Sequence, residues 1–255
     1  TVYAVTFSPN GQFLVSASRD QSVRVWRAAT GECLQILPGH QTGVVACRFS
    51  PDGQWLVTAS VDGKILIWQM ATSENQHTVY AHLYRTLTND AAELSALALS
   101  PDGAAIATNG PDATIRLWSR TAGTLLRTFH GHTENVQTLA FHPNGKTLLS
   151  GGWDQAVRFW DTSTGYLLRT HQGYTNAINA VTLSADGQTL VSGNADGTLC
   201  HWQRMVHHVG QLLPAHNGSV QAALFHPDGR RLASGGSDRI IQLWQMVDGQ
   251  LTLAQ

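Results

Sequence analysis

The stretch SGGWDQAVRFWD, residues 150–161, contains two tryptophans, and only one of them recurs along the chain. The recurring tryptophans follow one another at intervals of 42, 50, 42, 42 and 42 residues: Trp26, Trp68, Trp118, Trp160, Trp202 and Trp244. Trp153 has no counterpart at this spacing. Six copies at a nearly constant interval indicate a structural unit that is repeated along the whole chain.

Three further residue types recur with the tryptophan. An aspartate lies six residues before each one, as Asp20, Asp62, Asp112, Asp154, Asp196 and Asp238. A serine or threonine lies four residues before each aspartate, as Ser16, Thr58, Thr108, Ser150, Ser192 and Ser234. A histidine lies 28 residues before three of the tryptophans, as His40, His132 and His216. His82 takes this place in the third unit if eight additional residues follow it, and Tyr174 takes it in the fifth.

Each unit also contains a turn motif, with the sequences SPNG, SPDG, SPDG, HPNG, SADG and HPDG from residues 8, 50, 100, 142, 184 and 226. Proline presets the first turn position, Asp or Asn tolerates the next, and glycine supplies a positive φ angle. The turns join short runs rich in Val, Ile, Leu, Phe and Trp, such as VTFS, FLVSAS and SVRVW. These runs predict four β-strands in each unit and no helix.

The order GH, SPDG, SASRD or SGGWD, and then VRFWD resembles the WD-repeat family over essentially the whole chain, although the terminal Trp–Asp pair occurs only at Trp160–Asp161. This resemblance implies an all-β fold, a β-propeller of six four-stranded WD-type blades. We expect a single domain over 1–255, with approximate blades at 1–39, 40–81, 82–131, 132–173, 174–215 and 216–255. A closed six-bladed ring is favoured, and a fragment of a larger ring is the alternative.

The resemblance also implies that the recurrent residues form a hydrogen-bonded structural tetrad. Its predicted members are His40, Thr58, Asp62 and Trp68; His82, Thr108, Asp112 and Trp118; His132, Ser150, Asp154 and Trp160; and His216, Ser234, Asp238 and Trp244. Buried polar groups are stable when they are paired, so Trp160 is interpreted as framework. The first and fifth units lack the histidine, and we expect their blades to be weaker.

Composition and charge disfavour several functional classes. The formal net charge is −1, and a nucleic-acid-binding domain would need a basic stripe. No apolar run approaches 18 residues, so we expect no membrane span. The three cysteines are irregularly spaced, which favours neither a disulfide framework nor a zinc site, and we expect a cytoplasmic location.

The sequence shows no constellation typical of catalysis or of metal binding. The pairs His130/His132 and His207/His208 provide no three converging ligands, so we expect no metal and no cofactor. His201 stands where other units have an apolar residue and is interpreted as a core residue. No nucleophile elbow or P-loop is present, and the recurrent aspartates are explained by the tetrad. A non-enzyme is expected; a propeller lectin or hydrolase is the less favoured alternative.

By resemblance, the residue before each recurrent aspartate points to one rim of the propeller. These residues are Arg19, Val61, Pro111, Trp153, Ala195 and Ser237. Trp153 is the exception in size, and it either anchors a partner or packs against a neighbouring loop. The additional residues of the third unit, within Leu83–Glu93, are expected on the same rim, as an interaction loop or as a tolerated insertion.

The resemblance implies a non-catalytic scaffold, and we expect it to bind a protein or peptide partner on the propeller rim. The partner-binding candidates are Trp153, Tyr84, Arg85 and Arg19. A sensor or regulatory module of a longer multidomain protein is the alternative, and other domains of that parent chain would then be partners. Partners of the nucleic-acid or membrane class are not expected.

Overall fold

The computed structural model describes residues 1–72, 79–89, 94–110, 112–172, 174, 176–203 and 211–254. In these residues all regular secondary structure is β: 24 strands form six separate four-stranded antiparallel sheets. In every sheet the hydrogen-bonded order of the strands follows the chain. The described part of the chain contains no helix of a length and apolarity that would cross a membrane.

The first compact unit, Thr1–Thr128, contains blades 1 and 2 and all of blade 3 except its last residue, Phe129. Blade 1 consists of β1 (Val2–Phe7), β2 (Phe13–Ser18), β3 (Val23–Arg27) and β4 (Cys33–Leu37). Blade 2 consists of β5 (Val44–Phe49), β6 (Trp55–Ser60), β7 (Lys64–Thr72) and β8 (Val79–Thr88). Blade 3 consists of β9 (Leu97–Leu99), β10 (Ala105–Asn109), β11 (Ile115–Ser119) and β12 (Leu125–Phe129).

The second compact unit, Phe129–Gln255, contains blades 4, 5 and 6. Blade 4 consists of β13 (Val136–Phe141), β14 (Thr147–Gly152), β15 (Val157–Asp161) and β16 (Leu167–His171). Blade 5 consists of β17 (Ile178–Leu183), β18 (Thr189–Asn194), β19 (Thr198–Gln203) and β20 (Gln211–Pro214). Blade 6 consists of β21 (Val220–Phe225), β22 (Arg231–Gly236), β23 (Ile241–Val247) and β24 (Gln250–Leu253).

The turn between the first two strands of a blade is held by its own side chains. In blade 2, the backbone N–H of Trp55 donates to Ser50 Oγ at 2.9 Å, and the N–H of Gln54 donates to Asp52 Oδ1 at 3.0 Å. Gly53 has φ = 71°, a left-handed conformation in which a Cβ is strained. The recurrent Ser-Pro-Asp-Gly sequence therefore ends one strand and starts the next.

The apolar core lies between successive blades of a unit. In the first unit, Val15 and Val25 of blade 1 share one cluster with Val44 and Cys47 of blade 2. Complete burial of such a side chain stabilises the fold by about 1.5–3 kcal/mol. Within each unit, successive blades cover one another's faces, as expected for a repeat architecture.

The eight additional residues of the chain lengthen a hairpin of blade 2. Ile65 pairs with Leu87 just as Val23 of blade 1 pairs with Leu37, so the extra residues lie between Trp68 and Leu87. The pairing of β7 with β8 continues as far as Thr72 and Val79. The predicted blade boundary between residues 81 and 82 falls inside β8 and is wrong.

The six sheets confirm the predicted all-β fold with six four-stranded WD-type blades. The single domain over 1–255 and the closure of the ring stay predictions.

Candidate functional site

Blade 4 brings its four recurrent residues together. The Trp160 indole N–H donates to Ser150 Oγ at 2.8 Å, and Ser150 Oγ lies 2.6 Å from His132 Nε2. His132 Nδ1 is 2.9 Å from the carboxylate of Asp154. The chain of hydrogen bonds is satisfied when Nδ1–H donates to Asp154 and Nε2 accepts from the Ser150 hydroxyl. It joins β15 to the loop before β13 and to the turn after β14.

Blade 6 repeats this arrangement. The Trp244 indole N–H donates to Ser234 Oγ at 2.9 Å, and Ser234 Oγ lies 2.8 Å from His216 Nε2. His216 Nδ1 is 3.1 Å from both carboxylate oxygens of Asp238.

Blade 2 has the same residues with one additional link. The Trp68 indole N–H donates to Thr58 Oγ1 at 3.0 Å, and His40 Nε2 lies 2.8 Å from that oxygen. His40 Nδ1 contacts Ser60 Oγ at 2.8 Å, and the Ser60 hydroxyl also bonds to Asp62. A serine therefore stands between the histidine and the aspartate in this blade. Burial lowers the pKa of His40 to about 4.

In blade 3 the prediction for His82 is wrong. His82 lies on β8, is exposed and pairs with Gln69. The Trp118 indole N–H still donates to Thr108 Oγ1 at 3.0 Å. Because the hairpin of blade 2 is longer, the place that corresponds to His40 moves to residue 90, which lies outside the described residues.

An arginine that the sequence analysis missed binds the aspartate of blade 3. Arg116 Nη2 donates to Asp112 Oδ2 at 2.7 Å, and this contact helps to lower the pKa of Asp112 to about 2 against the opposing effect of burial. The spacing is visible in the sequence, because an arginine follows the recurrent aspartate by four residues in three units, at Arg24, Arg116 and Arg158.

Blade 5, which has tyrosine instead of histidine, has a less complete network. Tyr174 packs on Trp202 with 5.7 Å between ring centroids. The buried Tyr174 hydroxyl, the Ser192 hydroxyl and the Trp202 indole N–H have no hydrogen-bond partner in good geometry. Burial raises the pKa of Tyr174, and proximity to Ser192 and Trp202 only partly offsets this. His201, on β19, is buried as expected of a core residue, and burial lowers its pKa.

Trp153 lies on the turn between β14 and β15, and 49% of its surface is exposed. Its backbone N–H donates to Asn135 O at 3.0 Å. The next residue, Asp154, accepts the backbone N–H of Thr133 at 3.1 Å and a hydrogen bond from the Arg158 guanidinium. The indole is therefore exposed to solvent on a turn that is fixed by the backbone N–H of Trp153 and by the side chain of Asp154.

The equivalent turns of the other described blades carry different side chains at this place. Arg19, Val61 and Ser237 are exposed, and Ala195 is half-buried. Pro111 lies outside the described residues, as do His207, His208 and residues 90–93 of the predicted insertion. Among these turn positions, the indole of Trp153 is the largest apolar surface that the structure describes.

Tyr84 and Arg85 do not lie at the same end of their blade as the aspartate turn, and that prediction is wrong. Tyr84 packs edge-on against Trp55, with 5.0 Å between ring centroids, and Trp55 begins β6 directly after the Ser-Pro-Asp-Gly turn. Arg85 Nη2 donates to Thr121 O at 3.2 Å. The Arg120 guanidinium stacks 4.1 Å from the Trp55 ring. These residues therefore belong to the opposite end of blade 2.

Within the described residues, no group of three or more His, Cys, Asp or Glu side chains is arranged to hold a metal ion. Cys33, Cys47 and Cys200 are free thiols.

About half of the chain is similar in sequence to several known proteins. It is 24% identical to Pre-mRNA-processing factor 19 of Bos taurus over 139 residues, which are 52% of this chain and 25% of that protein. It is 28% identical to Nuclear distribution protein PAC1 of Coccidioides posadasii over 153 residues, 52% of this chain and 32% of that protein. It is 37% identical over 142 residues to an Aspergillus oryzae protein named as a probable E3 ubiquitin ligase complex SCF subunit, sconB, and this match covers 20% of that protein.

The family model "WD domain, G-beta repeat" matches six segments: residues 1–27, 31–69, 75–119, 123–161, 165–203 and 208–245. These segments contain all six recurrent tryptophans and cover most of the chain. Together with the six four-stranded sheets, this match shows that the chain belongs to the WD40 repeat family.

Proposed function

We propose that the chain is a non-catalytic interaction platform, and that Trp153 anchors a protein or peptide partner. WD40 repeats generally serve as scaffolds for protein–protein interaction. The observation that supports the particular site is the half-exposed indole of Trp153 on a turn held by the tetrad of blade 4. The proposed partner surface is the aspartate-turn end of this blade.

The residue type of Trp153 and its place on an ordered turn both favour this anchor. Tryptophan is enriched among the few interface residues that contribute most of the binding free energy. A side chain on a rigid turn loses little conformational freedom on binding, because the turn is already ordered. The backbone of Trp153 is bonded to Asn135, and the side chain of Asp154 bonds to the neighbouring loop.

The test compares two exposed aromatic residues at opposite ends of β15. Trp153→Ser replaces the indole with the residue that blade 6 has at this place, Ser237. Tyr166→Ser removes an aromatic side chain that is 75% exposed in the turn between β15 and β16. Both variants and the unmodified chain are used to capture proteins from a cell extract, and the bound proteins are identified by mass spectrometry.

We expect at least one protein to be retained by the unmodified chain and by Tyr166→Ser but not by Trp153→Ser. The melting temperature of Trp153→Ser is expected to remain unchanged. Identical sets of captured proteins from all three chains would overturn the assignment of Trp153.

A further inference from the structure

A cleft of about 230 Å³ opens at the other end of the blades, in the first unit. It lies between the turn that follows β1 and the lengthened hairpin of blade 2. Its lining includes the apolar side chains of Phe13, Phe49, Met70 and Val79 on the walls, with the polar Asp52 and Gln54 at the edge. Phe13 and Val79 are buried, whereas Met70 is half-buried and reachable from solvent.

The additional residues of the chain build one wall of this cleft. Met70 and Val79 belong to the part of the β7–β8 hairpin that extends beyond the length of the β3–β4 hairpin of blade 1. Ala81, which pairs with Met70, is held from the side, because the side-chain amide of Gln35 forms two hydrogen bonds with its backbone. The wall is thus supported from the side at the Met70–Ala81 pair.

The volume suits one aromatic side chain. Binding sites for drug-sized ligands usually have about 300–1,000 Å³, which exceeds this cleft. An engineered apolar cavity of about 150 Å³ holds benzene, so 230 Å³ accommodates a substituted ring. Phe13 and Phe49 offer ring edges and faces, and the flexible thioether of Met70 adapts to an aromatic guest.

The charge at the edge of the cleft is negative. Asp52 Oδ1 accepts a hydrogen bond from the Ser50 hydroxyl and one from the Gln54 backbone N–H. The Ser50 hydrogen bond is the main cause that lowers the pKa of Asp52, so the carboxylate is ionised at neutral pH. Arg120 acts electrostatically on both Asp52 and Asp102. Of the described residues that line the cleft, Asp52 alone is charged, and neither Arg120 nor Asp102 is among them, so the lining itself carries a negative charge.

We propose that this cleft is a docking site for a partner peptide in which an aromatic residue is followed by lysine or arginine. The aromatic ring enters between Phe13, Phe49 and Met70, and the basic group reaches the carboxylate of Asp52. The cleft belongs to the first unit and Trp153 to the second, so this proposal does not depend on the role of Trp153.

The primary experiment observes the Met70 methyl group directly. The chain contains three methionines, Met70, Met205 and Met246, so a protein labelled with ¹³C-methyl methionine gives few signals. Met70→Leu identifies the Met70 signal. The probes are the capped dipeptides acetyl-Phe-Lys-amide, acetyl-Phe-Glu-amide and acetyl-Ala-Lys-amide. We expect saturable movement of the Met70 signal with Phe-Lys, weaker movement with Phe-Glu and none with Ala-Lys, while Met246 stays in place. A motionless Met70 signal with Phe-Lys, or equal movement with Ala-Lys, would overturn the proposal.

Matched variants separate the cleft from general surface effects. Gln54→Trp places an indole at the edge of the cleft, and Gln188→Trp does the same at the corresponding place in the turn of blade 5. Asp52→Asn removes the charge, with Asp186→Asn as its counterpart, and Asn10 shows that asparagine fits this turn position.

We expect Gln54→Trp to abolish Phe-Lys binding, and we expect Asp52→Asn to weaken it about two- to fivefold, which is typical of an exposed ion pair. The two blade 5 variants should bind as the unmodified protein does. Unchanged affinity of either cleft variant, or equal losses in the blade 5 controls, would contradict the proposed site.

Discussion

The side-chain amide of Gln35 pairs with the backbone of Ala81 in the manner of a neighbouring strand. Gln35 Nε2 donates to Ala81 O at 3.2 Å, and Ala81 N donates to Gln35 Oε1 at 2.9 Å. Both residues lie on the outermost strands of adjacent blades, β4 and β8. Gln211 makes the same two bonds with Leu251 in the second unit, at 3.1 and 3.0 Å. The amides thereby occupy backbone groups at strand edges that would otherwise be unpaired.

Gln35→Ala is expected to lower the free energy of unfolding by about 1–3 kcal/mol, because the backbone N–H and C=O of the buried Ala81 lose their partner. Chemical denaturation measures this loss. The control is Gln41→Ala, which removes an exposed side chain bonded only to Lys64 among the hydrogen bonds described, and should cost less than about 0.5 kcal/mol. Equal losses in both variants would mean that the amide pairing contributes nothing specific.

Serine at equivalent places in blades 4 and 5 should contribute differently to stability. Ser150→Ala leaves the Trp160 indole N–H and His132 without their shared partner, at a cost of about 1–3 kcal/mol. Ser192→Ala removes a buried hydroxyl that has no partner in good geometry, so the cost should be close to zero. Thermal and chemical unfolding of both variants measure the difference; a Ser192→Ala loss as large as that of Ser150→Ala would contradict it.

The buried His40 should make the fold sensitive to mild acid. Its pKa is about 4 in the folded protein, against about 6.5 in an unfolded chain. As the pH falls from about 6.5 to 4, His40 becomes protonated in the unfolded state but stays neutral in the folded state. The contribution of neutral His40 to the free energy of unfolding is therefore fully present above this pH range and is lost within it. At pH 5, protonation of this group in the unfolded state lowers the free energy of unfolding by about 2 kcal/mol relative to neutral pH.

His40→Gln removes the titrating group, so its free energy of unfolding should depend less on pH than that of the unmodified chain. Denaturation at pH 7.5 and pH 5 measures both slopes. Asp62 raises the pKa of His40 and Lys64 lowers it, and both residues are retained in the variant. The same drop between the two pH values in both chains would show that His40 is not responsible.

Arg158 and Arg116, two of the three arginines that follow a recurrent aspartate by four residues, should differ in their contribution to the free energy of unfolding. The side chains of Arg158 and Asp154 are 11% and 4% exposed, whereas those of Arg116 and Asp112 are 17% and 46% exposed. Arg158→Gln leaves a nearly buried carboxylate short of a cation and should cost about 3 kcal/mol or more. Arg116→Gln should cost less than about 1 kcal/mol because water screens that pair. Urea denaturation of the two variants compares them, and equal costs would refute the distinction.

The number of blades could be predicted from residue spacing, because the spacing follows from the pairing of adjacent strands within a blade. Ser150 and Trp160 lie on adjacent antiparallel strands, where Leu148 pairs with Trp160, so a separation of ten residues brings hydroxyl and indole within hydrogen-bond distance. The same separation recurs in every unit, and the six blades follow from it.

The spacing could not predict which segment of the chain contains the eight additional residues. Eight extra residues before Trp118 can lengthen a loop or a hairpin, and both options leave the same tryptophan spacing. His82 follows Ala81 in the sequence as His216 follows Ala215, so the local sequence around His82 resembles that of a tetrad histidine. The distinction depends on packing: Leu87, not a residue before His82, takes the buried place opposite Ile65.

The anchoring role of Trp153 is tested most directly by the dissociation constant of a purified captured partner for the unmodified chain and for Trp153→Ser. Truncation of a binding anchor of this kind costs about 2 kcal/mol or more, so we expect the affinity to fall roughly thirtyfold. The melting temperature of the variant should stay unchanged, and Tyr166→Ser should bind normally. An unchanged dissociation constant for Trp153→Ser, measured with a folded variant, would contradict the account.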